Sequence, residues 1–339
     1  MDSSLFRRNV NIDLTSRVPV AQYAESLIDQ HGSPGRAVLS IEHRTTPAQV
    51  GRSRSLSAAA GYVMEQFPPA QAVALAFSCV VEYLAFGRAA GELSIEGSAV
   101  LAAVTVALLF LQLRLVDDIH TFYDSGGTGD IGGATVRGLV AGMVVTTAVI
   151  VLLNLVDGSM LIASLAIVAF LVATSLVIQA KTLLPGWVRM VLGRIPLFEL
   201  APAMMLAYVY LGWRSGTGGT LEVADVAVVV GLFLASFNVW KLSRHMGERA
   251  RERIYQLTWP VVRVLCLGLL VASAGLSVAL YSRADLSALW LAYALVLCAL
   301  FAAMSRPRRE PDSARPWWVG LPFPTAMTAG LFVQLLALT

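Results

Sequence analysis

Apolar runs dominate this chain from about residue 67 onward, and a polar arm precedes them. Residues 1–66 carry seven arginines and no sustained apolar run. Within that arm, 21–30 has the spacing of a short amphipathic helix and 36–54 reads as linker. Beyond it, apolar runs lie near 68–86, 96–116, 135–156, 159–180, 195–213, 221–242, 260–282, 286–304 and 318–338. Each is of spanning length, because a helix rising 1.5 Å per residue needs about 20 residues to cross a hydrocarbon core of about 30 Å. The pattern predicts an all-α integral membrane protein, with a polar cytoplasmic arm over 1–66 and a nine-helix membrane domain over 67–339. Pro185, Pro196 and Pro202 interrupt the fifth run. Residues 184–195 have an alternative reading as a segment lying along the interface.

The charged positions orient this pattern. With the N-terminus in the cytoplasm, the arm and the loops after the second, fourth, sixth and eighth helices lie on the cytoplasmic side. That side then receives all of the 25 basic residues except Arg88, Arg214 and Arg283. So strong a positive-inside bias supports both count and orientation, since one span more or fewer would swap the later loops. Lysine occurs twice against 23 arginines, a hint of a GC-rich genome, and the expected location is a bacterial cell membrane.

Composition agrees. The chain is 57% hydrophobic and 14% charged, against about 25% charged in soluble domains. A net charge of +3 with the basic residues dispersed among loops excludes nucleic acid as a partner. The N-terminal MDSSLFRRNVNIDLTS has no apolar core of signal-peptide length. Cys79, Cys266 and Cys298 fall within apolar runs, which predicts buried small hydrophobes and neither a disulfide nor a zinc framework.

The chemistry concentrates at 111–140, LQLRLVDDIHTFYDSGGTGDIGGATVRGLV, where two apolar runs are parted by Asp117, Asp118, Asp124 and Asp130. If the second helix continues past its apolar run, Asp117, Thr121 and Asp124 share a face. Asp117 and Asp124 would then be about 10 Å apart along the axis. Mg²⁺ holds its ligands at about 2.1 Å, so this separation suits two ions flanking a diphosphate, or one acid bound directly and one through water. Asp118 points about 100° away. The bland alternative is a solvated acidic helix end steadied by Arg114. Gly126, Gly127, Gly129, Gly132 and Gly133 fit either a lid offering backbone N–H donors to a phosphate or a flexible connector.

The second charged loop follows the sixth helix, FNVWKLSRHMGERARERIYQLTW at 237–259. Asn238, Lys241 and His245 share a helical face. The positive-inside rule accounts for most of its arginines. Lys241 and Arg244 adjoin the membrane opposite the acidic cluster, where cations would stabilise a leaving diphosphate. Glu82 and Glu199 fall within predicted spans, where a carboxylate needs a partner or water.

Nine spans with an acidic first cytoplasmic loop and a charged second one resemble the UbiA superfamily of intramembrane prenyltransferases. MEQFPP at 64–69 looks like the entry to that family's first helix, LRLVDDIHTFYD at 113–124 with RGL at 137–139 like its first motif region, and FNVWK at 237–241 with IYQLTW at 254–259 like its second. The likeness runs over about residues 62–339. It departs from the family's N/D-x-x-x-D-x-x-x-D pattern. With Asp117 first, Thr121 and Ser125 take the next two places, Asp124 comes one residue early, and Asn238 stands where an acid is often seen.

The resemblance implies a UbiA-like bundle, Mg²⁺, an isoprenyl diphosphate substrate, and a lipid-accessible cavity in which the prenyl chain ionises. On it, Asp117, Asp118 and Asp124 are expected to hold the metal, with Asn238 completing a second metal site. Arg137, Lys241 and Arg244 are expected to bind the diphosphate. The expected activity is transfer of the prenyl group to a small acceptor, aromatic or other. Alternatives are a terpene cyclase of the same fold, and a non-catalytic membrane protein, either a lipid-binding relic or a small-molecule transporter.

Overall fold

The computed structural model describes residues 69–124, 136–179, 197–245, 259–304 and 322–338. The arm at 1–66, Asp130, the glycine-rich stretch and most of the second charged loop lie outside these residues. The described chain forms α1 (Pro69–Ala89), α2 (Gly97–Asp124), α3 (Val136–Asn154), α4 (Gly158–Gln179), α5 (Leu197–Thr217), α6 (Val223–His245), α7 (Trp259–Arg283), α8 (Ala288–Met304) and α9 (Pro322–Ala337).

Each expected apolar run forms a helix in its expected place. Five of them, α1, α2, α4, α6 and α7, are long and apolar enough to cross a membrane. The apolar parts of α3, α8 and α9 are shorter, and α5 carries Pro202 in its interior and Arg214 in its last turn. The outer helices expose large apolar side chains, among them Val144 and Leu152 on α3, Ile162 on α4, Val271 on α7 and Leu289 on α8. A surface apolar outside as well as within is that of a membrane protein.

Helix ends follow local chemistry. Proline opens α1 and α9, where its missing N–H would be unpaired anyway. Asp157 caps α4, its Oδ1 accepting the N–H groups of Ser159 at 2.8 Å and Met160 at 3.1 Å. Gly218, at φ 71°, follows α5 in the left-handed conformation that closes a helix.

Two four-helix units emerge from the packing. In the first, α2 packs on α3 and α5, α3 on α4, and α4 on α5; in the second, α6 packs on α7 and α9, α7 on α8, and α8 on α9. These four packings repeat at an offset of four helices, while α2 also packs on α4, a contact without a counterpart of similar extent between α6 and α8. The units meet through α5 and α6, and α1 packs against α2, α5, α6 and α9, the first and last helices of both. That position explains why α1 is buried without interruption from Val81 to Gly87. Close approach within the first unit depends on Gly212 of α5, where an added Cβ would lie 2.8 Å from the Ala102 Cβ of α2. Gly216, one turn on, faces Ser98 and the Tyr83 hydroxyl, a small-residue pair at the spacing used in helix contacts within lipid.

Candidate functional site

α2 has 28 residues and is therefore about 42 Å long, well beyond a hydrocarbon core of about 30 Å. It continues as a helix through Asp124, so Asp117, Thr121 and Asp124 do occupy i, i+4 and i+7. Asp117 is exposed and Asp118 is buried. Arg114 reaches both from the preceding turn, at 3.1 Å to Asp117 Oδ2 and 3.0 Å to Asp118 Oδ1. Adjacent acids diverge by about 100°, and one guanidinium spans the gap because its donors form a broad planar fork. The side chains of His120, Thr121 and Asp124 lie outside the described residues.

α3 is held beside the acidic turn. Leu139 packs with Leu115 and Ile119 in a small buried cluster. Gln112 Nε2 donates to Thr147 Oγ1 at 2.6 Å and to the Met143 carbonyl at 3.3 Å. Arg137, two residues before Leu139, therefore belongs to the first turn of α3 at the same end as Asp117 and Asp118. Its side chain lies outside the description.

α6 runs through His245, so the stretch carrying Asn238, Lys241 and Arg244 is helical. Asn238 and Lys241 are half-buried, and Arg244's side chain is not described. α2 and α6 meet where Phe110 packs on Phe237, with ring centroids 5.2 Å apart, and Phe237 in turn lies 5.5 Å from Trp240. α2 is antiparallel to α5, as the Gly216–Ser98 and Gly212–Ala102 approaches show. The short connection at 218–222 turns the chain back into α6, so α2 and α6 run the same way. From the aromatic contact, Asp117 is about 10 Å further along α2, and Lys241 about 6 Å further along α6. Acids and cations thus come to one end of the bundle, over an aromatic floor of Phe110, Phe237 and Trp240.

Sequence reasoning did not anticipate that floor. Its trace is faint: Phe110 is seven residues before Asp117, on the same helical face, and Phe237 and Trp240 bracket Asn238. Glu82 lies elsewhere, on α1, fully buried. Glu199 is in the first turn of α5, and its side chain is outside the description.

The donor set fits a hard cation. Carboxylate and amide oxygens are the ligands Mg²⁺ prefers, and it commonly takes one or two carboxylates with phosphate and water completing the shell. Among the described residues, no group of three or more His, Cys, Asp or Glu could hold a metal. A cation here would share Asp117 and Asp118 with Arg114. No family model matches the chain, and neither does any curated protein or solved structure.

Proposed function

We propose that this chain is a nine-span UbiA-type prenyltransferase that ionises an isoprenyl diphosphate with Mg²⁺ and passes the prenyl group to a small acceptor within the membrane. The observation that carries this reading is the Phe110–Phe237 contact, which ties the acid-bearing helix to the helix bearing Asn238 and Lys241. In the proposed orientation this end of the bundle faces the cytoplasm with the N-terminal arm, as the distribution of basic residues favours.

Asp117 and Asp118 would hold Mg²⁺, with Asp124 and Asn238 contributing from the same end. The ion supplies Lewis-acid neutralisation of the diphosphate oxygens. Arg137, Lys241 and Arg244 bind and orient the diphosphate, so that positive charge is in place as the leaving group gains negative charge. Arg114 keeps Asp118 from lying buried and uncompensated before substrate binds. Phe110, Phe237 and Trp240 exclude water beneath the charged layer and present π faces to an allylic cation.

A cyclase remains the second reading, because the same aromatic trio would stabilise a cation folding on its own chain. The engagement of both acids by Arg114 supports a third, non-catalytic reading, in which this is a neutralised helix end. The deciding experiment is release of pyrophosphate from farnesyl or geranylgeranyl diphosphate by purified protein with Mg²⁺. Absence of release with either substrate, in protein shown to be folded, would favour the non-catalytic reading.

A further inference from the structure

Glu82 sits on α1, the helix shared by both four-helix units. It is fully buried, and neither carboxyl oxygen has a hydrogen-bond partner among the described residues. Cys79 shares its face one turn earlier and Phe86 one turn later, both completely buried. The described charged and titratable side chains on the neighbouring elements are engaged or distant. On α1, Tyr83 pairs with Ser98 at 2.9 Å. Tyr83 sits level with the start of α2, so Arg114 is about 24 Å and Asp117 and Asp118 about 30 Å further along that helix. Glu96, just before α2, is exposed.

On α5, Tyr208 donates to Asn154, Tyr210 accepts from the Leu221 N–H, and Arg214 is exposed. On α6, Asp225 is taken by Arg283 at 2.5 Å, and Lys241 lies near the opposite end. α9 has no titratable residue. Among the described residues, nothing on these helices supplies Glu82 with a counter-charge.

An isolated carboxylate in such a place is too costly to persist as an ion. Among the described residues no acid, histidine or cysteine group could complete a metal shell, and the side chain is itself fully buried, on one helical face with the equally buried Cys79 and Phe86. The ligand that meets its oxygens without displacing a neighbour is a proton. We propose that Glu82 is a proton-binding site at the junction of the two units, exchanging with water through the C-terminal end of α1.

That end is about 10 Å away along the helix. It is clasped by Arg88, whose Nε donates to the Ala284 carbonyl at 3.0 Å and whose Nη2 donates to the Asp285 carbonyl at 3.2 Å. When the clasp opens, the carboxyl O–H bond breaks, its electron pair stays on the carboxylate, and the proton passes to an entering water. The site is independent of the prenyl-transfer reading, since it uses none of those residues.

Infrared spectroscopy of the full chain in lipid tests it. Wild type at neutral pH should show the carbonyl band of a protonated carboxyl, and Glu82→Gln should lack it. Carbon-13 labelling of glutamate carboxyls in wild type makes the same test without a variant, because the band must shift with the label. In heavy water the deuterium shift of the band should be slow in wild type and about ten-fold faster in Arg88→Ala, which removes two charge-assisted bonds from the clasp. A wild-type spectrum with no labelled protonated-carboxyl band overturns the site. Equal exchange rates in wild type and Arg88→Ala overturn the exit route.

Discussion

The Phe110 ring meets the Phe237 ring at a centroid distance of 5.2 Å and an interplanar angle of 59°, joining two helices far apart in sequence. Truncating either ring should loosen the end of the bundle that carries the candidate acids and cations. Phe110 is buried, so Phe110→Ala should cost about 3 kcal/mol or more of stability. Phe237 is only half-buried and its truncation should cost less. A double-mutant cycle in detergent unfolding should return a coupling of about 0.5–1.5 kcal/mol. Strict additivity would mean that the rings touch without holding the helices together.

Asp117 and Arg114 should separate metal binding from charge neutralisation. Asp117→Ala should remove pyrophosphate release by three or more decades, equivalent to about 4 kcal/mol or more at the transition state, while the bundle stays folded because the side chain is exposed. Arg114→Gln should bind Mg²⁺ more tightly, since the guanidinium no longer competes for Asp117 and Asp118, yet turn over more slowly with Asp118 left buried and less compensated. Calorimetric Mg²⁺ titration and single-turnover pyrophosphate release read the two effects. Weaker Mg²⁺ binding in Arg114→Gln would contradict a shared site.

Much of this architecture is legible in the sequence because lipid leaves little choice. A backbone crossing hydrocarbon must satisfy itself as a helix, so the apolar runs alone are enough to locate the helices α1 to α9, five of which are long and apolar enough to cross a membrane. Asp117 and Lys241 are visible as polar interruptions where apolar runs end. The pairing of Phe110 with Phe237 is not, because an aromatic inside an apolar run reads alike whether it faces lipid, core or a neighbouring helix. Glu82 is visible as an intramembrane acid. Its isolation is not, since that depends on which faces of α2, α5, α6 and α9 turn toward α1. Gly212 and Gly216 read as ordinary helical glycines until Ala102 and Ser98 are seen against them.

Those glycines give a packing test. A methyl at Gly212 would lie 2.8 Å from the Ala102 Cβ and 3.3 Å from the Met160 Cε, and Ala102 has no rotamer with which to yield. Gly212→Ala should therefore force α2 and α5 apart at a cost of about 1–3 kcal/mol. Gly275 on α7 has nothing within 4 Å of an added Cβ, so Gly275→Ala should be neutral, or stabilising by up to about 1 kcal/mol through helix propensity. Thermal unfolding of the pair in one detergent compares them directly, and equal behaviour would refute the close approach of α2 and α5.

Asp157 predicts a pH dependence. The Ser215 hydroxyl, then the Ser159 hydroxyl and the Met160 N–H, hold its carboxyl down to about 2 from an ordinary value of 3.8. A depressed acid stabilises the folded state above its unfolded value and loses that contribution as pH falls through its folded value. The stability gap between wild type and Asp157→Asn should accordingly be constant at neutral pH and shrink as pH falls from about 4 toward about 2. Ser215→Ala should move the window upward. A gap independent of pH across that range would mean that the cap does not depend on charge.

Transfer and cyclisation begin with the same loss of diphosphate, so neither Asp117 nor Lys241 distinguishes them. What differs is the group that meets the cation. A transferase must orient an acceptor near the prenyl C1, whereas a cyclase must fold the chain against an apolar wall and keep water out until a proton leaves. Phe110 and Phe237 lie about 10 Å and about 6 Å along their helices from Asp117 and Lys241, and on the proposed reading they and Trp240 would flank the released C1 while leaving the nature of the captor open. Supplying farnesyl or geranylgeranyl diphosphate with Mg²⁺ to acceptor-free protein, then extracting nonpolar products, divides the two. Transfer predicts at most slow hydrolysis to the linear alcohol until an acceptor is added. Substituting Phe110 or Phe237 by Leu should then slow ionisation, leaving the linear alcohol as the sole product without acceptor. A cyclic hydrocarbon formed at the rate of pyrophosphate release, with a ring pattern altered by those substitutions, would assign the aromatic floor to cyclisation instead.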